Sequence, residues 1–270
     1  MAEPVKSNPI LPDVIRDTIL QSGLVILGSK SCGKTNAGKL IASEIIRNPQ
    51  TIPIQVKFFD LAGNLKFNFD PILYQTIDDK SRYFYDGDEN ILFDINLIDE
   101  DDIFGFMEKV LLTDYYRQRE RKETLNGHVD KWILYFIEES QGVLSSYSLM
   151  RKTGGKVFQL FSIGRNFGQN FVLISQRLAD LSTRAVERCN SYLIGKTSGD
   201  NDISKLKRLI GKKSSIVDEV KKLNVQNGEF IFYNPTIENQ DVKFPLYDSH
   251  GQKPRPFIPE NMPIWRTRKE

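Results

Sequence analysis

Hydrophobic residues in this chain fall into short solid blocks and longer spaced arrays, and the two alternate. The blocks are "LVIL" (24–27), "IPIQVKFFD" (52–60), "WILYFIEE" (132–139), "NFVLISQR" (170–177), "SYLIGKTS" (191–198) and "GEFIFYN" (228–234). Apolar runs of this length, rich in β-branched and aromatic residues, predict strands buried on both faces. Between them lie segments with apolar residues three and four apart, which predict helices. These are "TNAGKLIASEIIR" (35–47), "DDIFGFMEKVLLTDYYRQRERKE" (101–123), "VFQLFSIGRNFG" (157–168), "LADLSTRAVERCN" (178–190), "DNDISKLKRLIG" (200–211) and "SSIVDEVKKL" (214–223). The first stops before Pro49; the second opens with acids and closes with bases, as the helix dipole favours. Strands alternating with helices imply an α/β fold with a mainly parallel central sheet and helices on both faces. Residues 64–100, with scattered aromatics and acids, read as irregular. The unit spans 23–235, after an N-terminal segment (1–22) and before an extension (236–270). The end of that extension, 250–270, has four prolines and no periodicity, and reads as an arm that packs on a neighbour or stays mobile.

One junction carries chemistry. "GSKSCGKT" (28–35) follows the first strand and opens the first helix. It fits G-x-x-x-x-G-K-[ST], with Gly28, Gly33, Lys34 and Thr35 in register. Glycine lets the backbone curl so that successive N–H groups, from Gly28 through Ser29, Lys30, Ser31 and Cys32 to Gly33, point at a phosphate. Lys34 is expected at the β- and γ-phosphates, and the Thr35 hydroxyl on Mg²⁺. ATP and Mg²⁺ are the expected ligands.

Composition narrows the class without changing it. The chain has 270 residues, 40% apolar and 27% charged, which suits a globular protein. No apolar run approaches bilayer-spanning length, and the N-terminus has no basic region followed by an apolar stretch. A cytoplasmic or virion-associated protein without membrane insertion is expected. Cys32 lies inside the phosphate loop and Cys189 far along the chain, so a disulfide is not expected. With only His128 and His250 besides, a structural zinc site has no ligand set. Net charge is only +2, but Lys and Arg outnumber Asp and Glu between 184 and 222, while acids gather between 78 and 102. That asymmetry suits an anionic partner on one face, and equally a solvated helical face.

An NTPase also needs an acid near the metal and a base that orients water. "YFIEES" ends an apolar strand in Glu138 and Glu139. Glu138 is assigned to the metal shell with Thr35, and Glu139 to the general base.

The order of these motifs resembles the HerA/FtsK superfamily of P-loop motor ATPases. The matching residues are "GSKSCGKT", "FFDLAGN", "YFIEES" and above all "GRNFGQNFVLISQR" (164–177), a helix end with Arg-x-x-Gly followed by an apolar strand closing on Gln. The resemblance covers roughly 20–235. It implies a P-loop NTPase of the RecA-like (ASCE) type. It further implies Gln176 as a polar sensor at the γ-phosphate or attacking water, and Arg165 as an arginine finger acting in a neighbouring subunit, with Arg184 and Arg188 as rivals. Asp60 and Gly63 either line the same edge or form a capped turn. Most members have Asp-Glu where this chain has Glu138-Glu139, which bears on Glu138 more than on Glu139.

The function so implied is a translocase of double-stranded DNA, with a viral genome-packaging ATPase as one form of it. It would work as a ring homo-oligomer, with a hexamer the expected size, alongside a capsid or other DNA-processing partner. The little sequence outside the core fits packaging ATPases of small viruses or plasmid-encoded motors. Arg151, Lys152 and Lys156 in "SYSLMRKTGGK" (146–156) are candidate DNA contacts, or a basic solvent turn. Two other classes stay open: a nucleotide-dependent assembly scaffold without turnover, and a P-loop small-molecule kinase, for which no compact Arg-rich lid is evident.

Overall fold

A computed structural model describes residues 13–47, 52–63, 73–76, 87–145, 159–211, 214–225, 228–235 and 237–243. Nine strands form one sheet: β1 (Leu24–Leu27), β2 (Ile54–Asp60), β3 (Leu73–Thr76), β4 (Ile91–Asp94), β5 (Trp132–Ile137), β6 (Gln169–Ser175), β7 (Ser191–Gly195), β8 (Glu229–Asn234) and β9 (Ile237–Lys243). Their order is β3-β4-β2-β5-β6-β1-β7-β8-β9. The first seven in that order run parallel; β8 and β9 are antiparallel to their neighbours.

Each strand serves two cores because successive side chains point to opposite faces. Leu24 and Ile26 of β1, Phe136 of β5 and Val172 of β6 pack with α1 (Asp13–Ser22) and α2 (Lys34–Arg47), through Ile19, Ala37, Leu40 and Ile41. Val25, Leu27, Tyr135 and Leu173 face the other way. They meet α3 (Glu100–Thr124), α4 (Thr183–Val186), α5 (Asp200–Ile210) and α6 (Ser214–Lys222). Each fully buried Leu, Ile or Phe contributes about 1.5–3 kcal/mol relative to exposure. The two cores therefore hold the strand ends where the site is built.

The structure differs from the sequence reading in four places. The helix expected over 178–190 is a 3₁₀ turn (Leu178–Asp180) followed by the four-residue α4, because Leu181 and Ser182 are extended between them. Region 64–100 contains β3 and β4. "ILFD" of β4 is a fully buried strand, but it is four residues long and bracketed by acids, so its signal is short. The strand β8 is antiparallel, which a solid apolar block does not distinguish from parallel. Ordered structure also extends past 23 and 235: α1 buries Ile19 and its Ser22 hydroxyl bonds Ser191, and β9 pairs with β8.

Candidate active site

All parallel strands point their C-terminal ends to one edge, and the phosphate-loop residues gather there. Between β1 and α2 the chain curls with φ 151° at Gly28, 66° at Ser31 and 91° at Gly33. A Cβ on Gly28 would lie 2.6 Å from Cys32 Sγ and 3.2 Å from Gly195 Cα, so the loop can sit on the end of β7 only without one. The Ser29 N–H donates to the Lys196 carbonyl (2.7 Å) and fixes the loop to that strand's exit. Cys32 is buried beneath the loop, and burial raises its thiol pKa, so it fills space as a neutral thiol. Lys30 and Ser31 are exposed on the crest. Lys34 is buried, its Nζ donating to the Ser29 carbonyl (2.9 Å). The curled loop and the N-terminus of the 14-residue α2 make an anion cradle.

Beyond β5 lie the two carboxylates. The Glu138 N–H donates to the Phe59 carbonyl (3.0 Å), which holds Glu138 in the sheet edge at 5% exposure. Thr35 Oγ1 donates to Glu138 Oε1 (2.5 Å). Glu138 Oε2 is buried and has no hydrogen-bond partner among the described residues. Burial raises the Glu138 pKa to about 7; the Thr35 bond opposes the rise and the charges of Glu139 and Asp60 add to it. A hydroxyl and a carboxylate with a spare oxygen are hard donors of the kind that bind Mg²⁺ beside phosphates.

Glu139 has left-handed backbone, φ 49° and ψ 42°. Its carboxylate accepts from Gln176 Nε2 on one oxygen and Gln141 Nε2 on the other. Gln176 is the first residue beyond β6. Asp60, buried at the end of β2, accepts the N–H groups of Ala62 (3.1 Å) and Gly63 (2.9 Å), so it caps the turn.

The structure thus brings Lys34, Thr35, Glu138, Glu139 and Gln176 together and leaves Arg165 elsewhere. Arg165 is exposed in a 3₁₀ turn (Gly164–Phe167) just before β6 begins, at the opposite edge of the sheet. Gln118 of α3 donates to the Phe167 carbonyl (3.1 Å), and Lys122 to that of Asn166 (2.7 Å), fastening the turn. Arg184 and Arg188 are exposed between β6 and β7. Arg151, Lys152 and Lys156 lie outside the described residues. Gln141 was not singled out by sequence; its only signal is an amide two residues after a strand-end carboxylate.

Fold and edge together define a class: an α/β P-loop NTPase of the RecA-like type, in which β6 stands between the phosphate-loop strand β1 and the carboxylate strand β5. Neither a protein-family model nor a curated protein sequence matches this chain. Solved structures do. The genome packaging NTPase B204 of Sulfolobus turreted icosahedral virus 2, in complex with AMPPCP, is similar over 83% of this chain and 98% of its own, with 16% identity and a TM-score of 0.58. ATPases 2 and 3 of EssC from Geobacillus thermodenitrificans match 90% of this chain and 41% of theirs, at 12% identity and TM-score 0.57. The pCW3 conjugation coupling protein TcpA matches 86% and 63%, at 12% identity and TM-score 0.56. At these identities the likeness is one of fold, and it agrees with the HerA/FtsK resemblance carried by the motifs.

Proposed function

We propose that this chain is an ATP-hydrolysing motor that moves double-stranded DNA as a ring of identical subunits, of the genome-packaging kind. The observation that carries the hydrolytic reading is Glu139: a carboxylate one strand removed from the phosphate loop and anchored by Gln176. Similarity to a packaging NTPase over nearly its whole length supports the motor reading.

Loop N–H groups from Gly28 to Gly33 and the Lys34 ammonium bind the β- and γ-phosphates. Thr35 Oγ1 and Glu138 would hold Mg²⁺, which would supply charge neutralisation on the phosphate oxygens. Glu139 orients a water and takes its proton while the water oxygen bonds the γ-phosphorus. The bond to the bridging oxygen breaks, leaving ADP and inorganic phosphate. Gln176, bonded to the Glu139 carboxylate, fixes that group and the water beside it. Arg165 acts on a neighbour: β6 has seven residues, so it holds Arg165 about 20 Å from its own site. Arginine fingers are worth about 10³–10⁵ in rate.

The test is ATP turnover with and without double-stranded DNA, with oligomer mass measured alongside. The reading expects turnover stimulated by DNA in a ring-sized particle. Binding with no turnover would favour a scaffold, and phosphoryl transfer to a small acceptor a kinase. Lys34→Ala should lose nucleotide binding or turnover, and Glu139→Gln should bind and not hydrolyse. Arg165→Ala and Glu139→Gln, each nearly inactive, should regain activity when co-assembled. No recovery would remove the trans role from Arg165 and leave Arg184 and Arg188.

A further inference from the structure

The base proposed above is held from two sides. Gln176 reaches Glu139 from the end of β6. Gln141 reaches its other oxygen from the 3₁₀ turn (Ser140–Gly142) that follows β5. Gln141 is itself fixed: its Oε1 accepts from Ser175 Oγ (2.7 Å), and Ser175 Oγ accepts the Arg177 N–H (3.2 Å). The turn is tied to β6 as well, because Ser140 Oγ donates to the Ile174 carbonyl (3.0 Å).

We infer that Gln141 is a positioning residue for the proposed catalytic carboxylate, held in its working rotamer by Ser175; this rests on the reading of Glu139 as the base. The backbone supports it independently. A non-glycine residue in the left-handed region is uncommon and persists where its surroundings over-determine it. At Glu139 that conformation folds the chain back so that Gln141, two residues on, can face the Glu139 carboxylate. An extended residue at 139 would carry Gln141 away. Each carboxylate oxygen offers two lone pairs, so two amide donors leave acceptor sites for a water. The result is a carboxylate that cannot swing: one amide from each of the loops beyond β5 and β6 grips it, and Ser175 links the two loops.

Steady-state kinetics on the full chain test this. Gln141→Ala should lower kcat roughly 10- to 100-fold, the range expected when a reacting group is displaced by about an ångström. Affinity for a fluorescent ATP analogue should stay within about twofold, since Gln141 does not line the phosphate loop. Gln141→Met, which keeps the side-chain length without the amide, should behave as Gln141→Ala does and guards against a folding artefact. Ser175→Ala should give a smaller loss in the wild-type background and almost none on top of Gln141→Ala, because the two residues act through one contact. Wild-type kcat in both Gln141 variants, beside an inactive Glu139→Gln, overturns the inference alone. An active Glu139→Gln overturns the base assignment and the inference with it. Losses that multiply in the Ser175→Ala, Gln141→Ala double variant overturn the relay through Ser175.

Discussion

Asp114 and Glu138 are both carboxylates buried against this sheet, and their surroundings treat them in opposite ways. Asp114 on α3 receives Lys57 Nζ on both oxygens (2.7 and 2.8 Å) and the Tyr135 hydroxyl on one of them (2.8 Å). Tyr135 in turn accepts from Gln169 Nε2 (2.9 Å). Every charge there has its counterpart, so the cluster ties β2, β5, β6 and α3 together; its one unmatched atom is the neutral Gln169 Oε1, not a charge. Glu138 has one donor, Thr35, and a buried oxygen without a hydrogen-bond partner among the described residues. Burial of a polar atom with no partner is costly, and persists where a ligand will supply the partner. Satisfaction, rather than burial, separates the carboxylate that builds the fold from the one proposed to hold a cation.

The largest expected effect comes from unbalancing the satisfied cluster. Asp114→Ala leaves the Lys57 ammonium buried without its anion and should cost about 3–5 kcal/mol of unfolding free energy in a denaturant titration. A loss under about 1 kcal/mol would mean the pair is not the brace described.

Next comes the unsatisfied partner. A carboxyl whose folded pKa is about 7 against 4.5 unfolded binds its proton more tightly when folded. The stability this gives is present below about pH 4.5 and is lost as pH rises through 7, at most about 3 kcal/mol by linkage. Nucleotide-free protein should therefore lose stability across that window, and Glu138→Gln should flatten the loss. The same Glu138→Gln variant should need more Mg²⁺ for half-maximal turnover, whereas Glu138→Asp should keep activity. A Mg²⁺ requirement unmoved in Glu138→Gln would detach this residue from the cation.

Smaller still, removing both charges of the brace at once, Lys57→Met with Asp114→Leu, should return stability to within about 1–2 kcal/mol of wild type, because no lone charge remains. Smallest is the exposed Arg119–Glu123 pair on α3. Arg119→Ala should leave the denaturation midpoint unmoved, since solvent screens such pairs.

These contrasts also mark what could be read along the chain. The phosphate loop was legible because its demands are local: a strand, glycines at fixed spacing, Lys34-Thr35 and a helix start. The pair Glu138-Glu139 was legible because it ends a solid apolar block, whereas Gln176 stood out only through the family resemblance. Lys57, in the middle of "IQVKFFD", announces that something must neutralise it, but Asp114 is 57 residues away, and only packing chooses it among the acids of α3. Gln141 escaped for a related reason: its role depends on left-handed backbone at a non-glycine residue, which residue type does not encode. The strand β4 escaped because four apolar residues among acids carry too little periodicity.

Strand β6 has a metric consequence. Neighbouring strands lie about 4.8 Å apart, so inserting one between β1 and β5 separates their tips by roughly 10 Å. That clearance is of the size of a terminal phosphoryl group with one water behind it. Were β1 and β5 adjacent, Glu139 would abut the loop and leave no berth for a nucleophile. The strand is a gauge block: it is hydrogen-bonded in register on both sides, Val172 opposite Leu24 and Phe136, and it cannot narrow without breaking two ladders at once. Connectivity sets the spacing between the phosphate loop and the carboxylates, and side chains then work within it.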